Sequence, residues 1–504
     1  MHSGGLGITR ILFTFVLILE VCQTFYYRDL IYTRNPFEQL WHIFFHRDIV
    51  YTPDPFATAS FMVSAGLVLW IACLVLLCLG YCTRLMAVLS FVATSLFLVP
   101  YQAFEYHMDY IYQGVGLLLI FCPTHRSLSI DRYLSGCRPE VSRGWYHLLV
   151  FVGIALVYTD SIFHKLASPM WIHGLGLWQP GSLIHFTWAP SGLSQPLLNV
   201  QWLALALGYL TLLFESLFII LMWFRRLWFP LTLVGVGLHL GIVAAFPIPW
   251  FGLGVTGLFV LMIPIKYSQH VAEKAERVLF AFYAKVRFIE KLPVFKLPSL
   301  PLSTKQRGHL FLGAFVGLCL IQGCVILALS PVGRVLSERI HLDLRPLANS
   351  APFLVIRHFS GLTPHGVFMD AHFKGYNHVL KIEASNPPGQ HRILPMTKPN
   401  GQPGYIGRVW VNWNFRTLSA EIDDDQLKRG FAHHTAFWLK KYKLDPETTT
   451  LTIYSKTTDV PFKWEKDLLS NAIKSEWKKA GTASWSGDNF RLNMLPIESI
   501  QSTE

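Results

Sequence analysis

Lys165 closes the apolar stretch "VYTDSIFHKLA", in which Asp160 and His164 stand four residues apart just ahead of it. An amine, an imidazole and a carboxylate gathered at one helix end are groups that can move protons. An unperturbed lysine, with a pKa of about 10.4, is a poor base near neutrality. Withdrawal from water disfavours the ammonium, so a lysine in an apolar, partly closed pocket becomes a competent general base. The alternative is an anchor whose ammonium snorkels to the headgroups and costs little to lose. Further candidates lie elsewhere. "EYHMDYIYQG" places Glu105, His107 and Asp109 where another apolar stretch begins, "LTLLFESLF" carries Glu215 inside one, and "GVGLHLGIVAAFPIPW" puts His239 within one. Ionisable groups at membrane depth are costly and therefore functional candidates. Each also has a structural reading: Glu215 as partner of a serine, tryptophan or arginine, His239 as a helix–helix hydrogen-bond donor, and Asp160 with His164 as a pair.

On a helix, Lys165 shares a face with Ser161 and Tyr158, at i−4 and i−7. The next stretch, "PMWIHGLGLW", spaces Trp171, Leu175 and Trp178 at i, i+4 and i+7. That spacing predicts an interfacial amphipathic helix. Tyr158, Trp171 and Trp178 would then bind a lipid-soluble ligand that enters from the side above Lys165. The histidines at 107, 164, 173, 185 and 239 lack an H-x3-H spacing on one helix, so no metal site is expected.

These residues need a membrane scaffold. The chain has 504 residues, 52% hydrophobic and 15% charged, against roughly 25% charged in soluble domains. Nine stretches approach the length that crosses a bilayer, about 20 residues. They lie near 8–26, 57–80, 84–104, 108–123, 145–163, 201–223, 227–246, 250–265 and 308–330. Connections after the even-numbered stretches carry 16 Lys and Arg residues against 4 after the first, third, fifth and seventh. By the positive-inside rule the N-terminus is cytoplasmic and the C-terminus exterior. The net charge of +12 is thus spent on topology and does not suggest nucleic acid.

The fold class expected is a polytopic α-helical membrane protein of about nine helices with a C-terminal β-rich non-cytoplasmic domain. Residues 1–265 form the membrane domain, 266–307 a basic cytoplasmic linker on the membrane surface, 308–330 a last span, and 331–504 the exterior domain. In that last part "RVWVNWNFRTLSAEI", "HGVFMDAHF" and "TLTIYSK" read as strands by their period of two, and 425–442 reads as a helix. "ASNPPGQ" and "KPNGQPG" read as turns. The domain contains no cysteine, so it should fold by itself without disulfides. The absence of N-x-S/T sequons suggests a bacterial inner membrane.

Taken together, the chain over roughly residues 5–265 resembles the vitamin K-dependent γ-carboxylase-like superfamily, also called the HTTM (horizontally transferred transmembrane) family. The resemblance rests on "GITRILF", on "EYHMDYIYQGVGLLLIFCPTHRSLSIDRY", on "FHKLASPMWIHGLGLW", and on "FESLFIILMW" followed by "GLHLGIVAAFPIPWFGL". "GLTPHGVFMDAHFKGYNHVLKI" also looks like the tail of bacterial members. The resemblance implies a lyase-type carboxylase in which Lys165 is the base for reduced vitamin K, of menaquinol type, with O2 and CO2 as co-substrates. Epoxidation of the quinol would drive carboxylation of glutamate in an exterior peptide or protein. His107 matches a histidine of the family's active region, and His239 looks like its counterpart two spans later. His164 stands where animal enzymes have a second lysine, and no segment matches a propeptide-binding region. The other reading is a non-enzymatic membrane assembly or maturation factor whose exterior domain binds a partner protein, with no cofactor.

Overall fold

A computed structural model describes residues 3–33, 56–98, 107–139, 145–188, 193–294 and 304–501, apart from 351, 354–355, 357–359, 362–364 and 387–388. Helices occur at each of the nine expected positions. They are α1 (Gly4–Tyr26), α2 (Phe61–Leu79), α3 (Thr83–Phe97), α4 (His107–Phe121), α5 (Trp145–Lys165), α6 (Gln201–Leu221), α7 (Trp228–Ala245), α8 (Pro249–Phe259) and, after the linker, α10 (Thr304–Leu329). Among the described residues six are long and apolar enough to cross a membrane: α1, α2, α5, α6, α7 and α10. α3 and α4 have only 15 residues each. The stretch Pro249–Met262 meets α9 (Ile265–Lys285) at 109°. The apolar runs are therefore helices, but three are too short to count as full spans. At 1.5 Å per residue, 15 residues reach about 22 Å, short of a ~30 Å hydrocarbon core.

Local signals set several boundaries. Ser60 caps α2 through its side chain, accepting from the Val63 amide at 3.3 Å, and left-handed Gly80 ends the helix. At the end where α1 begins, Arg10 is fully buried and donates to the carbonyls of Thr124 and Leu128, both at 2.6 Å. A single cation there ties α1 to the turn after α4, satisfying carbonyls that no helix uses.

The C-terminal region sits on the opposite end of the bundle. It holds an antiparallel sheet of order β2–β1–β3–β4–β5, with β1 His378–Asn386, β2 Gln390–Ile393, β3 Thr450–Thr457, β4 Lys478–Ser486 and β5 Asn489–Met494. α11 (Asp424–Tyr442) begins with a capping box in which Asp423 and Gln426 satisfy each other's backbone amides, a reciprocal arrangement that fixes a helix start. "TLTIYSK" is strand β3, as its alternation suggests.

"RVWVNWNFRTLSAEI" is not a strand. It forms a short helix, Gly407–Trp410, continued as a π-helical turn, Val411–Arg416. Val409, Trp410 and Trp413 satisfy the i, i+1, i+4 spacing of a helix as well as part of a period of two. Burial of polar Asn412 and Asn414 beside them shows a segment enclosed all round, which alternation cannot describe. "HGVFMDAHF" is irregular, with one 3-10 turn at Asp370–His372. Its residues are used as a strap, described below.

Nor does the C-terminal region own a separate core. Its buried Phe373, Tyr376, Trp410, Trp413 and Trp438 belong to one hydrophobic cluster with residues of the membrane helices. Phe186, between α5 and α6, packs edge-on against Phe373 and Trp410, with ring centroids 4.7 and 5.9 Å apart. Tyr27, just past α1, does the same with Tyr405 at 5.6 Å. Burial of aromatic area across this boundary joins the two parts in one continuous core.

Candidate functional site

Lys165 does not snorkel. It is 5% exposed, and its Nζ donates to both oxygens of the Glu215 carboxylate, at 2.5 and 2.6 Å. Glu215, in the middle of α6, is 6% exposed. Each ionisable residue, costly alone, is offset by the other. The expectation that Glu215 serves a serine, tryptophan or arginine is thus corrected. The signal was present in the sequence, as two opposite charges in two apolar stretches. Only the packing of α5 against α6 shows that they meet.

The rest of the site surrounds this pair. The Trp171 ring lies 4.5 Å from Nζ, at cation–π distance. The Tyr158 ring, two turns before Lys165 on α5, packs edge-on against Phe214 and Phe218 of α6, at 5.7 and 5.2 Å. Tyr158 is buried, and among the described residues its hydroxyl has no hydrogen-bond partner. A buried hydroxyl left unmatched costs free energy and marks a place where a ligand atom gains. His239 stacks beside Tyr158, with ring centroids 6.3 Å apart and planes at 30°. Its Nδ1 lies 2.8 Å from the Gly235 carbonyl. A carbonyl can only accept, so Nδ1 carries the proton and Nε2 is left as an acceptor. Phe251 and Phe259 complete the wall around His239, both at 5.8 Å.

Of the expected residues, the structure therefore brings Lys165, Tyr158, Trp171 and His239 together, on α5, α7 and the loop after α5. His107 opens α4, but its side chain lies outside the described residues, as does Glu105 altogether. Trp178 is fully buried and is not a surface lid. Trp171, Leu175 and Trp178 do not form one amphipathic helix. Trp171 lies in one short helix, Pro169–Ile172, Trp178 opens another, Trp178–Ser182, and Leu175 falls in the connection between them; all three are buried. The break comes at Gly174, in the left-handed region at φ 75°, which favours glycine. Its carbonyl would stand 2.1 Å from a Cβ at Gly208 of α6. Two glycines thus let the loop lie directly on the helix that carries Glu215 two turns further on.

The strap from the C-terminal region fixes the loop from the other side. Asp370 accepts from the Ser168 hydroxyl and, at 3.0 Å, from the Met170 amide. The Phe368 carbonyl accepts from the Trp171 indole at 2.7 Å, which fixes the ring over the lysine. Asp160 accepts from the His365 amide and lies 3.9 Å from His164 Nε2. Asp160 and His164 thus stand beside each other, without a hydrogen bond between them, and the strap reaches Asp160. This use of the irregular segment 365–372 carries no periodic signal and could not be read from the sequence.

A second buried ion cluster ties the same two regions. Arg408 donates to Asp109 of α4 and lies 3.7 Å from Glu20 of α1. All three are essentially inaccessible to solvent.

The family model for the HTTM domain matches residues 1–263, just over half of the 504-residue chain. No curated protein and no solved structure matches it.

Proposed function

As the chain belongs to the HTTM domain family, a family of membrane proteins found among vitamin K-dependent carboxylase-like proteins, we propose that it is a quinol-dependent membrane enzyme in which Lys165 is the base. The observation that supports this most directly is the closed Lys165–Glu215 pair under Trp171, beside a buried tyrosine hydroxyl that has no hydrogen-bond partner among the described residues.

The chemistry of the donor set fits a reduced quinone. The Phe214, Phe218, Phe251 and Phe259 rings offer flat apolar walls. The Tyr158 hydroxyl and His239 Nε2 offer a donor and an acceptor for ring oxygens. When bound, the quinol would supply the electrons that reduce O2 and, through its oxygenation, the strong base that takes the glutamate γ-proton before CO2 adds to the carbanion. The protein's own part is proton handling. In a closed lysine–glutamate pair the net charge is zero whichever partner holds the proton. Moving it from Nζ to the carboxylate leaves a neutral amine without creating a lone buried charge. That amine can take a proton from a hydroxyl at hydrogen-bonding distance. Trp171 and the loop over it keep water away, which strengthens each of these interactions.

The test is incorporation of labelled CO2 into a glutamate-containing peptide by the full-length protein in nanodiscs, with a reduced menaquinone and O2. Label should enter with the native chain and not with Lys165→Arg, because a guanidinium does not give up its proton. Equal incorporation by Lys165→Arg would return Lys165 to a purely structural role. No incorporation by the native chain would leave the reading as an assembly factor.

A further inference from the structure

The helix α9 carries a surface that the site above does not use. The geometry points to α9 as a docking surface for anionic phospholipid, on the membrane face where α1 begins. The helix follows a 109° bend from the apolar stretch Pro249–Met262, so it runs across the end of the bundle, not through it. Its inner face is fastened. Glu276, buried, accepts from the Ser127 hydroxyl at 2.9 Å, from the Leu128 amide at 2.8 Å and from Arg132. Ser268 approaches Gly5 of α1, and Ala272 and Tyr283 are buried on the same side.

The flank is different. Tyr267, Val271, Val278 and Phe282 are spaced i, i+4, i+11 and i+15, which is one stripe of a helix. Each is more than half exposed, at 55, 55, 71 and 58%. A stripe of four such residues has no reason to face water on a helix whose inner face is already packed. Lys274 and Lys285 stand exposed at its edge, with Lys266 and Arg277 further toward the polar side. Apolar residues beside a row of cations on a helix lying across a bundle end are the pattern of an interfacial element. The stripe meets acyl chains just below the headgroups, and the lysine stems reach up to the phosphates. Charge complementarity selects an anionic headgroup over a zwitterionic one.

Hydrogen exchange of α9 tests this, using the full-length protein in nanodiscs of phosphatidylcholine alone or with one third phosphatidylglycerol. Exchange across 265–285 should be slower in the anionic discs and return toward the zwitterionic rate in high salt. Each surface lysine contributes about fivefold to association with an anionic membrane, so Lys274→Glu with Lys285→Glu should erase the difference. Tyr267→Gln with Phe282→Gln should speed exchange in both discs. All four positions are exposed, so unchanged exchange in α1 and α6 verifies that the variants are folded. Identical exchange of α9 in the two native discs would overturn the proposal. So would protection of α9 that rises with protein concentration, since the stripe would then be covered by a second copy. Neither result depends on catalysis, so failure here leaves the quinol reading untouched.

Discussion

Two of the ion clusters buried among the described residues differ in the chemistry of their cation. Arg408 meets Asp109 and Glu20 where the C-terminal region joins α1 and α4. Lys165 meets Glu215 between α5 and α6. A guanidinium stays protonated at any pH a protein survives, so the first cluster can only hold. An ammonium can lose its proton when its partner takes it, so the second can also exchange. Their settings agree with this. Around Lys165 stand a hydroxyl without a hydrogen-bond partner among the described residues, an imidazole and an aromatic face. Arg408 meets carboxylates from each of two helices. Burial is common to both clusters; under the proposed function the identity of the cation is what sets them apart.

The sharpest way to break this comparison is to exchange the cations. Lys165→Arg should abolish quinol-dependent label incorporation while the protein remains in the membrane. Arg408→Lys should retain most activity and lose only stability. Comparable residual activity in both variants would erase the distinction.

Removing one partner is the next largest effect. Glu215→Gln leaves a buried ammonium unpaired and should destabilise the protein by about 3–5 kcal/mol, read as a lowered thermal midpoint in detergent. Lys165→Ala should cost about as much, contrary to what an anchor lysine would cost. The double variant Lys165→Met with Glu215→Leu should recover most of that stability and none of the activity. Arg408→Ala should cost a similar ~3–5 kcal/mol. It should also expose the C-terminal region to limited proteolysis at concentrations that leave the native chain intact.

A smaller effect concerns pH. Burial holds His378 down to about 4 and His434 down to about 3, from the usual 6.5; proximity to His433 adds to the second. Both lie outside the membrane-spanning helices. Above pH 6.5 they are neutral folded or unfolded and contribute no slope. As pH falls below 6.5 the unfolded chain takes up protons that the folded chain refuses. Stability should therefore drop by up to ~1.4 kcal/mol per pH unit for each histidine until about pH 4. Denaturant titrations at pH 7, 6 and 5 measure this slope, and His434→Gln should flatten it.

The smallest change sharpens the role of the strap. Asp370→Ala removes the acceptor for Ser168 and the Met170 amide and should cost about 1–3 kcal/mol. If the strap positions Trp171, the indole fluorescence should shift and the quinol KM rise, with kcat changed less. A change in stability alone would reduce the strap to a tether.

Much of this was legible in the order of residues. Apolar runs of helical length, interrupted by charged turns, determine that the chain is a helical membrane protein, because a backbone in lipid must satisfy its own hydrogen bonds. The capping box at Asp423–Gln426 and the alternation of "TLTIYSK" likewise fixed a helix and a strand through contacts only a few residues apart. Lys165 was identifiable as unusual by its setting alone. What it meets was not. Its carboxylate lies 50 residues away on another helix, the ring above it is held by a carbonyl 197 residues distant, and Asp370 reaches the loop across 200. The segment 407–416 satisfied a strand period and became a helix, because burial against α1 and α4 at Arg408, the loop after α5 at Trp410 and α11 at Trp413 outweighed alternation. Local periodicity records which face of an element is apolar. Which charges neutralise each other inside is decided only when the elements pack, since the cost of burying each charge is offset solely by a partner that sequence distance does not reveal.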